Sequence, residues 1–198
     1  MKQGKIDFVY LQRRMKRLSL THYFAGWLLL MLLIVLLTLP DERPDPLDHI
    51  GFDTTRSSEM YFHNLRSYHY RQSEEAGDIF EVYRLKSLHD NEEVALLPLA
   101  IYKNWRSHEA FIRLDTAQKY PSWHAVVAEN ADSAFVIDRP DWSNESQFHF
   151  ARALHRSMEG DARMALLPEP GDTLWLSQDE RSALRVVLRD YFKLVNKL

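Results

Sequence analysis

Nine histidines are the first side chains in this sequence to weigh for catalysis or metal binding. Zinc sites on helices use imidazoles one turn apart, as in H-E-x-x-H, and no two histidines here stand at i and i+4. His63 and His69, like His149 and His155, are six apart, a spacing that points them to different sides of a helix. Scattered surface or core imidazoles are therefore the expectation, with no metal site. A serine nucleophile needs a strained elbow such as G-x-S-x-G, which is absent. With 6 Gly in the chain, neither G-x-G-x-x-G nor G-x-x-x-x-G-K-[ST] occurs, which removes the standard routes to nucleotide binding. Cysteine is absent altogether, excluding thiol nucleophiles, disulfides, iron-sulfur clusters and covalent c-type haem. The carboxylate pairs Glu74-Glu75 and Glu92-Glu93 fall in segments that read as loops, where solvated charge is the default.

No catalytic residue and no cofactor is expected from these patterns. Two alternatives to a non-catalytic reading remain in view. One is an envelope enzyme whose site forms by convergence of three or more of His63, His69, Asp138, Asp141, His149 and His155 in one deep pocket. The other is a carrier whose aromatic-rich domain holds an apolar ligand.

Two compact loops carry residue types that anchor interfaces instead. One holds Trp105 and Arg106 within Lys103 to Glu109; the other holds Asp138, Arg139, Asp141 and Trp142. The plainer expectation is that both tryptophans fold back over the core while the charges solvate the turns. Asn144-Glu145-Ser146 matches a glycosylation sequon, but it coincides with a helix start, so capping accounts for it.

The elements that must position these loops follow from periodicity. Residues 59–70 place Tyr61, Phe62, Leu65, Tyr68 and His69 at helical spacing behind Ser57 or Ser58 as cap. Ile79 to Leu88, Val94 to Tyr102 and Ala110 to Leu114 read as three strands of an antiparallel meander. The segment from Tyr120 to Glu129 is ambiguous, and Ala134 to Ile137 is a short strand. Asn144 and Gln147 stand at capping-box spacing before a helix that stops at Gly160. Met164 to Leu167 and Leu174 to Leu176 flank a Pro-Glu-Pro-Gly-Asp turn. Ser177 and Glu180 open the clearest helix, with Leu184, Val187, Leu188, Tyr191, Val195 and Leu198 on its apolar face. Runs of strands followed by mixed helices and strands give an α+β domain with a mainly antiparallel sheet and packed helices.

The address of that domain is set by the uncharged run Tyr23 to Leu39, YFAGWLLLMLLIVLLTL. At helical rise it measures about 26 Å, close to the roughly 30 Å hydrocarbon core. Its leucines with Phe24, Ile34 and Val35 favour insertion by about 3 to 7 kcal/mol. A cleaved signal peptide would have a shorter apolar region and a small-residue site, both lacking here. Residues 1–22 hold Lys2, Lys5, Arg13, Arg14, Lys16 and Arg17 against Asp7 alone, a balance of +5, which leaves -8 for the rest of the chain. By the positive-inside rule this tail is cytoplasmic, with Arg13, Arg14, Lys16 and Arg17 as membrane-surface anchors. An acidic domain offers no footprint for nucleic acid.

The expected layout is a basic cytoplasmic tail (1–22), a single transmembrane signal-anchor helix (23–39), a proline-rich linker (40–58) and an extracytoplasmic α+β domain (59–198), periplasmic if the source is bacterial. Its expected partners are the membrane and protein components of an envelope complex.

Overall fold

In a computed structural model of the chain, the described residues are 20–38, 45–75, 79–89, 95–115, 123–130, 134–169 and 171–198. They fall into two compact units, Met1–Asp45 and Pro46–Leu198.

In the first unit a helix, α1, runs from Leu20–Thr38. Its side chains are described from Tyr23 to Ile34, and all of them are exposed, with no polar face among them. That stretch rises about 18 Å, and among the described residues no helix is long and apolar enough to cross a membrane. Arg13, Arg14, Lys16, Arg17 and the expected stop at Pro40 lie outside the described residues.

The second unit starts earlier than Glu59. A 3-10 turn at Pro46–Asp48 buries Leu47 in the core, and Arg152 donates to the Leu47 carbonyl at 3.1 Å. Phe52 packs against Phe111 and Phe148, and its carbonyl accepts from the Ala110 amide at 2.8 Å. Residues 46–58 thus belong to the folded unit, because the apolar Leu47 and Phe52 find partners that local sequence does not reveal.

Helix α2 covers Arg56–Tyr61 and continues through a π-type turn at Phe62–Arg66 and a 3-10 turn at Ser67–His69. Its cap is Thr55, in a reciprocal capping box with Ser58, so the start lies two or three residues before the expected one. The widened turn bends the run so that Phe62 meets Tyr70 and Tyr83.

One sheet has the order β1-β2-β3-β4, all antiparallel: Tyr70–Glu75, Phe80–Leu85, Leu99–Asn104 and Glu109–Leu114. The expected three-stranded meander gains β1, YRQSEE, which has no apolar alternation and is held by its ladder to β2. Glu74-Glu75 therefore lies in a strand, while Glu92-Glu93 lies outside the described residues. A short helix, α3, occupies Lys86–His89 and shortens the expected strand Ile79 to Leu88, the first of the meander.

The other sheet has the order β6-β5-β7-β8, again antiparallel: Trp123–Glu129 is β5, Ala134–Asp138 is β6, Arg163–Pro168 is β7 and Leu174–Trp175 is β8. The ambiguous segment is thus a strand, central to its sheet. Helix α4, Asn144–Glu159, is capped by Ser143 and not by Asn144, while Gln147 serves the tertiary fold by donating to the Asp141 carbonyl and accepting from the Leu114 amide. Helix α5, Gln178–Leu194, carries the expected Ser177-Glu180 capping box. Helix α4 touches β4 of one sheet and β6 of the other, and α5 packs on β3, β4 and α4. The result is one continuous core, with Phe148, Leu154, Leu188 and Phe192 from the helices meeting Ile101 and Ile112 from one sheet and Val126 and Leu166 from the other. The chain is α+β with two antiparallel sheets, where one was expected.

Candidate functional site

The loop after β6 is built around one carboxylate. Asp141 accepts from the Ser143 amide at 2.8 Å and from the Ser143 hydroxyl. Its own amide donates to the Ser146 hydroxyl at 3.1 Å, and its carbonyl accepts from Gln147 at 2.7 Å. The hydrogen bonds from Ser143 hold the Asp141 carboxyl below its ordinary range. Between these fixed points stands Trp142, 66% exposed. The expectation that it folds over the core is overturned: its neighbours in sequence are tied to the α4 cap, so the ring is carried outward.

Arg139 does the opposite. Its guanidinium lies 5.2 Å from the centre of the Trp123 ring and its amide donates to the His124 carbonyl at 2.8 Å, so it closes the end of β5. Asp138 ends β6 and is exposed.

Trp105 sits in the turn between β3 and β4 and is 48% exposed, with the Arg106 guanidinium 5.0 Å from its ring centre. The Asn104 side chain accepts from the Arg106 and Ser107 amides, which shapes the turn. Trp105 follows the start of the hairpin and Trp142 precedes α4, whose Asn144 accepts from Arg113 near the far end of β4. The two tryptophans therefore stand at opposite ends of β4 and form two separate candidate surfaces.

A groove of about 290 Å³ lies between α2 and the first sheet, lined by Glu59, Phe62, His63, Glu81, Tyr83, Lys103 and neighbours. Glu81 and Lys103 are a cross-strand pair on the face that also carries Tyr83 and Ile101. The Lys103 ammonium lies 3.4 Å from Glu59 and 3.8 Å from Glu81, and the Tyr83 hydroxyl donates to Glu81 at 2.9 Å. Burial works to raise the Glu59 carboxyl, but hydrogen bonds from Thr54 and His108 and the charge of Lys103 outweigh it and hold the group below its ordinary range. Burial pushes the Tyr83 hydroxyl up, and its bond to Glu81 adds to the shift. The charges in this groove satisfy one another, an arrangement suited to holding structure or a small polar ligand. Sequence reading missed it because the cluster exists only once the register of β2 against β3 and the bend of α2 are known.

The six dispersed histidines and aspartates are not brought into one pocket. His63 lines the groove by Glu59, and His155 lines a second groove of about 320 Å³ with Met158, Glu159, Asp161 and Arg185. His149 faces Glu145 one turn earlier on α4, and His69 stacks on Tyr68 with ring centres 3.9 Å apart. Among the described residues no group of three or more His, Asp or Glu is placed to hold a metal ion. The chain matches no protein-family model, no curated protein and no solved structure.

Proposed function

We propose that this chain is a membrane-anchored extracytoplasmic binding module, an accessory component of an envelope or membrane protein complex. The observation that carries the binding half of the reading is Trp142, an aromatic ring 66% exposed on a loop locked by the Asp141 hydrogen bonds. A large apolar ring held in place before contact loses little conformational entropy on binding, which is why such tryptophans dominate interface energetics. Trp105, with Arg106 over its ring, supplies a second anchor on another side of the domain. The anchor half rests on the uncharged run from Tyr23 to Leu39 and the cations before it.

The test is co-purification of tagged full-length protein in mild detergent, comparing the native chain with Trp142→Ala and Trp105→Ala. Loss of a specific partner in one variant, at unchanged melting temperature, supports the reading. Recovery of the native chain alone and monomeric, or a partner retained in both variants, overturns it.

A further inference from the structure

Of the four sheet edges, three are guarded. Strand β1 carries three charges, Arg71, Glu74 and Glu75, in six residues, β8 is two residues long, and β4 is bridged by Asp53 at Glu109 and met at Leu114 by the Gln147 side chain. Strand β6, Ala-Phe-Val-Ile-Asp, is different. Among the described residues it pairs only with β5, its one charge is the terminal Asp138, and it leaves Phe135 38% and Val136 61% exposed. An apolar edge charged only at its end is a template for another strand.

The outward groups can be assigned. The Arg139 amide donates to the His124 carbonyl, so residues 135, 137 and 139 turn their backbone groups toward β5. Antiparallel ladders alternate, so the amides and carbonyls of Ala134, Val136 and Asp138 point away from the sheet. No described residue bonds to them on that side. Val136 also heads an apolar cross-strand row through the half-buried Val127 and the buried Ala165 to the exposed Trp175.

We propose that β6 is a homodimer seam, at which a second copy of this chain adds its own β6 antiparallel and joins two four-stranded sheets into one. A two-fold axis normal to the sheet keeps each face continuous, which restricts the pairing to registers in which some residue meets itself. Centring on Val136 pairs all five residues. It places Asp138 opposite the partner's Ala134, so no acid meets an acid, and it sets Phe135 beside the partner's Ile137. The apolar row then runs unbroken from one Trp175 to the other. A seam this short buries less than the roughly 800 Å² per partner of a stable interface, so the dimer depends on concentration and is best trapped.

The absence of native cysteine makes trapping clean. In the full-length chain in mild detergent, Val136→Cys places two sulfurs on Cα atoms about 5.5 Å apart, within disulfide reach. Ala134→Cys or Asp138→Cys alone leaves about 13 Å between copies, beyond it. Under mild oxidation Val136→Cys and the double variant Ala134→Cys/Asp138→Cys are expected to form covalent dimers about tenfold faster than either single control. Equal rates at all positions, or a covalent product with a different protein, overturn the proposal. Val136→Lys tests the same seam without sulfur. It is expected to keep the melting temperature and abolish concentration-dependent dimer in sedimentation, and an unchanged dimer also overturns the proposal.

Discussion

Among the described residues the least solvated charge is Asp190, 1% exposed on the buried side of α5. Its two oxygens accept from the Arg66 Nε at 2.9 Å, and one accepts from the Tyr70 hydroxyl at 2.9 Å. Removing one partner of such a group strands the other in a poorly solvated site. Asp190→Ala is therefore expected to cost about 3 to 5 kcal/mol, read by urea denaturation. Glu59 gives a pH signature. Its folded-state value is depressed, so its contribution is present above the ordinary value of 4.5 and is lost as pH falls through the folded one. Denaturation of the native chain and Glu59→Gln, followed from neutral pH downward, is expected to show a stability gap that closes in acid. A gap independent of pH would show that packing, and not charge, is what the substitution removes. Neither residue could be singled out from sequence. Asp190 interrupts an apolar stripe between Leu188 and Tyr191, and only the arrival of Arg66 and Tyr70 from α2 and β1 explains it.

At the scale of elements, what could be read was what is local. The Ser177-Glu180 box and the Leu184, Val187, Leu188, Tyr191 spacing define α5 because a helix writes its caps and its period into consecutive residues. Ser177→Ala is expected to cost about 1 kcal/mol and Ser177→Asp to restore it, since either oxygen can accept from the Glu180 amide; thermal melts decide this. What could not be read was decided at a distance. Strand β1 is polar and exists through its ladder to β2. The cap of α4 shifted by one because Asn144 is taken by Arg113 and Gln147 by Asp141 and Leu114. The Trp142 loop was legible as residue types, but its outward posture depends on that same rearrangement.

For the whole molecule, the proposed arrangement makes the sign of the first cluster of charges decisive. If α1 anchors the chain with the tail inside, protease added outside intact cells digests residues 46–198, and alkaline carbonate leaves the chain in the membrane pellet. Changing Arg13, Arg14, Lys16 and Arg17 to glutamate is expected to reduce the protease-accessible fraction, because positive charge retains a tail on the cytoplasmic side. Protection of the domain in the native chain would overturn the orientation.

The folded unit also closes on itself. The Ser58 hydroxyl donates to the Leu194 carbonyl at 2.7 Å, Thr55 bonds Asn196 at 3.2 Å, and Asn196 reaches back to the Asp53 carbonyl. The opening turn of α2 and the final turn of α5 are thus latched together. For residues 46–198 the order of elements is then effectively circular, and the physical beginning is a matter of where the ring is cut. A linker bridging the latched segments, residues 53–58 and 194–196, would join neighbours, and the ring could be reopened at the exposed turn holding Trp105 without unpairing a strand.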